Sequence, residues 1–241
     1  MDSKLGLVVV IPDGDEGRRS FDKLVKAAED LFSRRGYRNT TIKDIVQSAG
    51  LSVGAFYIYF RSKYQLYVYI MQNFARRLQS YLDSRAGKIT GDAIERQVEY
   101  IMEFIGFAYE NPACYNLIFE SLYIDRDLFL QYYYQYAQRY IPALVKSHAL
   151  PDGMDPLIWS FINMGIGNFI GIKVLAEDDA GPEQMDKIRQ TLRILLQSGL
   201  EKRTQDGDTC ISGDILHKSR LDPSKNTAFE KAGTGGIEPL T

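Results

Sequence analysis

Only two cysteines and two histidines occur in 241 residues, so the chain offers little to chemistry that needs a thiolate or an imidazole. Cys114 and Cys210 lie far apart with no CxxC, and only His148 and His217 could join them. Neither a zinc site nor a disulfide framework is encoded, and a reducing cytoplasm fits this cysteine usage best. Long hydrophobic runs are also scarce near the N-terminus. Residues 5–12, LGLVVVIP, are too short to span a bilayer, lack a signal peptide's cleavage pattern, and run straight into Asp13, Asp15 and Glu16. Residues 1–17 are read as a flexible arm. A short strand, or a start site placed too far upstream, is equally compatible, and no function or membrane partner is assigned there. No Ser/His/Asp arrangement, metal cluster or phosphate-cradling glycine loop is present. Acid–base chemistry would rest on carboxylates such as Glu103, Glu110 or Glu120, which are better placed solvating helix faces. The chain is therefore not expected to be an enzyme, and no cofactor is implied.

What the chain does have is a sizeable apolar fraction, 45% hydrophobic against 25% charged, enough for an ordinary soluble core. The net charge of -2 conceals a division. Between Arg18 and Gln65 ten Lys or Arg stand against four Asp or Glu; between Gly91 and Leu200 eight stand against fifteen. A basic segment is the electrostatic footprint expected of phosphate binding, whereas the acidic stretch that follows would repel DNA.

The basic segment contains the stretch TTIKDIVQSAGLSVGAFYIYFRSK, residues 40–63. Ile42, Ile45, Val46 and Ala49 recur at helical spacing, and Gly50 stands where a helix would end on a residue free to take positive φ. Ser52 is a good N-cap for a second helix. That helix would turn Ala55, Phe56 and Phe60 to one side and leave Val53, Gly54, Tyr57, Ile58 and Tyr59 largely outward. An outward face of aromatics and a glycine suits a recognition helix: Gly54 permits close backbone approach, Tyr hydroxyls reach phosphates, and apolar atoms meet thymine methyls. Thr41 and Lys43, near the start of the first helix, and Lys63, after the second, are expected to hold phosphates.

The A-G-L-S turn followed by G-x-F-Y-x-Y-F-x-S-K resembles the DNA-binding region of TetR-family transcriptional regulators. The resemblance covers about one fifth of the chain. One departure is visible: Tyr59 stands where many members have His, which changes the donor offered to a phosphate.

Elsewhere the pattern is helical. Phe21, Leu24, Val25, Ala28, Leu31 and Phe32 define a helix over 19–35 that would back the helix pair. Ser62 is placed to cap a long fourth helix running through Leu82. Further helices are expected over 92–109, 113–123 and from Asp125 or Asp127 to about His148, with Pro142 inside the last. An apolar helix over 157–175 and an amphipathic one over 182–200 follow. The fold expected is all-α: an N-terminal three-helix helix-turn-helix head, residues 18–65, joined to a C-terminal helical effector-binding and dimerisation bundle, residues 66–200. Residues 201–241 are rich in Gly, Asp, Thr, Ser and Lys and are read as a disordered tail.

The family resemblance implies a homodimer formed by the last two helices and a small-molecule effector held among the middle ones. Gly167 and Gly171, one turn apart, would let a partner helix approach closely, with Leu192 and Leu196 beside them. Gly165, Gly167 and Gly171 do not form a dinucleotide fingerprint, since no strand precedes them. For the effector, Phe104, Phe119, Tyr123 and Tyr133 supply apolar walls, and Glu120, Asn163 and Asn168 supply polar anchors. The ligand itself is not identified beyond apolar or amphipathic. The function implied is a cytoplasmic, ligand-responsive repressor that reads a palindromic double-stranded operator as a dimer. The competing function is a DNA-binding protein of chromosome organisation or cell division without ligand control.

Overall fold

Caps written into the sequence divide the chain into nine helices among the described residues, which in this computed structural model are 9, 11–146, 150 and 153–201. No strand occurs among them. Helix α1 (Asp15–Arg35) ends at Gly36. Helix α2 (Ile42–Ala49) starts from a capping box in which Thr41 and Asp44 satisfy each other's amides, and it stops at Gly50, whose φ of 66° favours glycine. Ser52 accepts from the Ala55 amide and opens α3 (Val53–Tyr59), and Ser62 does the same through Gln65 for α4 (Lys63–Ala86). A second capping box, Asp92 with Glu95, starts α5 (Ala93–Glu110). Pro112 occupies the first turn of α6 (Pro112–Ile124), where a missing N–H costs nothing. Asp125 accepts from the amides of Asp127 and Leu128 at the head of α7 (Arg126–Lys146), which contains Pro142. Asp155 caps α8 (Pro156–Glu177), and α9 spans Pro182–Glu201.

Both ends differ from the sequence reading. The expected arm of residues 1–17 already contains the first turn of α1, because Asp15 and Glu16 sit where acidic side chains complement the helix dipole. Val9 packs against the core of the head, and residues 1–8 and 10 lie outside the described residues. Glu201 closes α9, so the expected tail begins one residue later. The rest of it, with Cys210 and His217, lies outside the described residues, as does His148.

Packing explains the boundaries. Phe21, Leu24, Ala28 and Phe32 of α1, Ile45 and Val46 of α2, Phe56 of α3, Phe60 and the first turns of α4 make one buried cluster. That cluster does not stop at the head. It runs along α4 through Phe74 and Leu78 and joins Leu117 and Ile118 of α6 and Leu128 and Ala137 of α7. A second cluster joins Val98, Ile101, Met102 and Ile105 of α5 to Tyr140, to Trp159 and Val174 of α8, and to Ile188, Leu192 and Leu196 of α9. Helix α5 is thus the axis of the bundle, with α8 and α9 laid against it.

The four residues expected at a dimer interface face inward. A Cβ at Gly167 would stand 3.0 Å from the Phe104 ring, and one at Gly171 would stand 3.1 Å from the Tyr115 hydroxyl. These glycines let α8 approach α5 and α6 of its own chain. Leu192 and Leu196 are buried against α5 in the same way. The opposite side of α8 is the unexpected feature. Ile158, Ile162, Phe169 and Ile172 lie exposed along it, and Ile194 and Leu195 are exposed on α9. Helix α8 is apolar on both sides, and among the described residues it is the one helix long and apolar enough to cross a membrane by length and composition. Its inner face, with Asn163 and Asn168 hydrogen-bonded within the bundle, packs as a core helix does.

Candidate nucleic-acid interface and effector cavity

Helix α3 is held by what it buries. Phe56 and Phe60 are fully enclosed, their rings 5.8 Å apart, and Phe60 stacks on Phe21 of α1 at 5.2 Å. With those rings fixed, Val53, Gly54, Tyr57 and Ile58 must point away from the protein, and Ile58 remains 66% exposed. Gly54 has no internal reason to be glycine, since a Cβ there would meet only the Ser52 hydroxyl at 3.7 Å. Glycine within a helix costs about 1 kcal/mol relative to alanine. Gly54→Ala is therefore expected to keep or raise the melting temperature while weakening DNA binding at least tenfold. A mobility-shift titration beside a melting curve checks both signs.

Three residues expected to touch DNA are tied into the protein. The Thr41 amide and hydroxyl both donate to the Asp44 carboxylate, at 2.8 and 2.6 Å. These bonds hold the Asp44 carboxyl below its ordinary range and place a negative charge where a phosphate was expected. Tyr59 is half-buried, its ring edge-on to Phe21 at 5.7 Å, because the last turn of α3 closes over α1. The Lys63 ammonium donates to the carbonyls of Tyr37 and Thr40, both at 2.7 Å, and lies 4.2 Å over the Tyr37 ring. Partial burial there lowers its pKa, with the Glu120 and Asp44 carboxylates acting the other way. Two of its three N–H donors are spent on the fold. Lys63→Ala is thus expected to cost about 1–2 kcal/mol of stability in chemical denaturation, an effect that a pure phosphate contact would not show. Lys43 and Ser52 remain exposed.

The residues expected around an effector divide into three groups. A cavity of about 20 Å³ lies between α5, α7 and α8, lined by Tyr100, Ile101, Phe104, Tyr136, Tyr140, Asn163, Met164 and Gly167. Phe104 and Asn163 line it. Phe119 packs edge-on to Tyr115 at 5.3 Å, Tyr133 is buried against Phe129, and Asn168 accepts from the Tyr115 hydroxyl. Glu120 and Tyr123 belong elsewhere. Glu120 accepts the Tyr37 amide at 2.7 Å, and Tyr123 is 75% exposed. Both sit on the far end of α6, which turns toward the head. Sequence reasoning did not single out Tyr100, Ile101 or Met164. The usable signal was the four-residue spacing that puts Tyr100 and Phe104 on one face of α5 and Tyr136 and Tyr140 on one face of α7, so that Tyr100 meets Tyr140 and Phe104 meets Tyr136 across the two helices.

No acidic or basic side chain lines this cavity. Burial pushes the Tyr100 hydroxyl up to about 12 and those of Tyr136 and Tyr140 higher still. All three are neutral donors at pH 7. Tyr100 stacks on Tyr140 at 4.6 Å, and the Gln97 amide donates to Asn163 at 2.8 Å. A second cleft, of about 40 Å³, lies between α4 and α7 beside Met71, Leu128 and Tyr132. Ligand pockets usually measure about 300–1,000 Å³, so both spaces are too small for such a ligand as they stand.

Between the head and the cavity runs α6. Besides Glu120, the Arg38 guanidinium donates to the Tyr123 carbonyl at 3.0 Å, the Tyr67 hydroxyl to Leu117 at 2.8 Å, and the Tyr64 hydroxyl to Asp125. Burial raises the Tyr64 hydroxyl above its usual range, and its bond to Asp125 adds to this. The α1–α2 turn and the start of α4 are therefore fastened to one helix, whose other side carries Tyr115 and Phe119.

A capped helix pair with an outward α3, on a helical bundle, defines a helix-turn-helix protein. Residues 24–70 match the profile of "Bacterial regulatory proteins, tetR family". The matched stretch is the helix-turn-helix head, and over it the chain is similar to the TetR family of transcriptional regulators. It is 28% identical over 142 residues to the uncharacterized regulator YvdT of Bacillus subtilis, covering 56% of this chain and 72% of that one. Over 77 residues it is 35% identical to the repressor KstR2 of Mycolicibacterium smegmatis, covering 29% and 38%. Of several other curated relatives the chain spans about half the length or less. Its fold is similar to that of the regulator FadR from Bacillus subtilis, solved in complex with stearoyl-CoA, with a TM-score of 0.55 over 74% of this chain and 98% of that one. At 17% identity that likeness concerns the fold.

Proposed function

We propose that this protein is a ligand-responsive repressor that binds a palindromic operator as a homodimer. The observation that carries the proposal is the outward face of α3, where Val53, Tyr57 and Ile58 stay exposed above a fully buried Phe56 and Phe60. Residues 18–65 form the reading head in this proposal, and 66–200 the effector and dimerisation region. Lys43, Ser52, Val53, Gly54, Tyr57 and Ile58 meet the DNA, with Thr41, Tyr59 and Lys63 supporting them from within the fold. The dimer forms on the exposed side of α8 and α9, through Ile158, Ile162, Phe169, Ile172, Ile194 and Leu195, rather than on the glycine side. Two heads then read half-sites about 34–36 Å apart. The setting is the bacterial cytoplasm.

The effector enters between α5, α7 and α8 and is apolar or amphipathic, as the neutral aromatic walls favour and as the stearoyl-CoA complex of FadR illustrates for a related fold. Because the cavity is so small, a ligand must part these helices, and α6 carries that movement to Tyr37 and Lys63. The ligand shifts DNA affinity only by its differential affinity for the two states. Hydroxyl-radical footprinting on a bound genomic fragment tests the reading: two protected half-sites one helical turn apart support it, and a single protected half-site contradicts it. Equal affinity with and without a saturating ligand would remove the effector control. The small size of the cavity favours the second reading in that event, a DNA-binding protein of chromosome organisation or cell division without ligand control.

A further inference from the structure

The reading face of α3 has an unusual chemistry. From Ser52 to Phe60 there is no Arg, Lys, Asn, Gln, Asp or Glu. Ser52 caps the helix by accepting from the Ala55 amide and keeps its O–H for a phosphate, and Phe56 and Phe60 are buried. What remains outward is two aliphatic side chains, Val53 and Ile58, a glycine that leaves open space, and the Tyr57 ring with its hydroxyl. Lys43 and Gln47 are exposed on α2 and Arg61 is exposed after α3, so none of the three belongs to α3 itself.

The major groove constrains what such a face can read. Guanine is selected by a guanidinium or ammonium, adenine by a carboxamide, and cytosine by a carboxylate. None of these is on the face. The 5-methyl group of thymine is the base-edge feature recognised by apolar contact. Contacts from Lys43 and Arg61 to phosphates would position the helix without carrying sequence information. We infer that α3 specifies its operator through thymine methyl groups, with Ile58 and Val53 as the specificity-determining side chains. The inference rests on α3 being the DNA-facing helix.

Uracil tests it, because deoxyuridine keeps thymidine's pairing and its O4 acceptor and removes the methyl alone. The full chain is first used to select binding duplexes from a random library made with thymidine. The best duplex is then resynthesised with deoxyuridine at each half-site thymine in turn. A buried methyl corresponds to about fourfold in affinity, so at least one position in each half-site is expected to show a loss of that size. Ile58→Ala or Val53→Ala is expected to abolish the difference between thymine and uracil at its own position. Both residues are exposed, so the melting temperature should stay unchanged. Tight binding of the selected duplex with no loss at any uracil would overturn the inference and leave the DNA-binding reading intact. Failure to select any duplex would overturn both.

Discussion

Replacing Phe56 with alanine is expected to destabilise the protein by about 3–5 kcal/mol, the range for truncating a buried aromatic side chain. That is a large part of the roughly 5–15 kcal/mol that holds a typical domain together. The ring is fully enclosed and touches Phe60 and Tyr57 within the cluster that also contains Phe21, Ile45 and Tyr67. No neighbour is placed to refill the space, because each of these rings is itself fixed by others: Phe21 by Tyr59 and Tyr69, and Tyr67 by Phe32 and Tyr37. The core continues from the head along α4 into α6 and α7, so the loss is expected to lower the midpoint of one urea transition rather than split off a separate early one. Tyr57→Phe is the contrast. Tyr57 is 55% exposed, so the change should leave the midpoint within experimental error while weakening DNA binding. A Phe56→Ala loss below about 1 kcal/mol would contradict the packing described here.

The second large effect concerns assembly. Changing Ile162 and Phe169 together to glutamate is expected to turn the proposed dimer into a monomer and to reduce operator affinity at least a hundredfold. Phe169 is 72% exposed and Ile162 lies on the same side of α8. In a monomer the new carboxylates would be solvated and harmless. In a dimer seated on that face they would be buried without partners, a cost of several kcal/mol. Loss of affinity follows because two linked heads bind a palindrome with an effective concentration that a single head lacks. Sedimentation equilibrium and a melting curve separate assembly from folding. A dimer that survives both substitutions would place the interface elsewhere.

These two cases also mark where sequence reasoning succeeds. Phe56 was legible as core because helical period and caps are local: Ser52, Gly50 and the Thr41–Asp44 pair fix the start and stop of α2 and α3 within a few residues. The apolar inner stripe of α8 was legible too, but not which side of it meets the chain's own α5. A helix apolar all round gives no preferred direction, and the glycines drew attention to the side that Phe104 and Tyr115 fill from within. Lys63 was read as a phosphate ligand because a lysine at a helix start carries charge. The two carbonyls that hold it come from residues 23 and 26 positions earlier, a contact that no local pattern encodes. Glu120 was misplaced for the same reason, its partner Tyr37 lying 83 residues away.

The most direct test of the account is selection of fragments from the source genome by the purified full chain at two salt concentrations. Enrichment of one palindrome near promoters is expected, with affinity falling steeply as salt rises because Lys and Arg contacts release counterions from the phosphates. Salt-sensitive binding without a shared sequence, or no binding at all, would contradict the claim that α3 reads an operator.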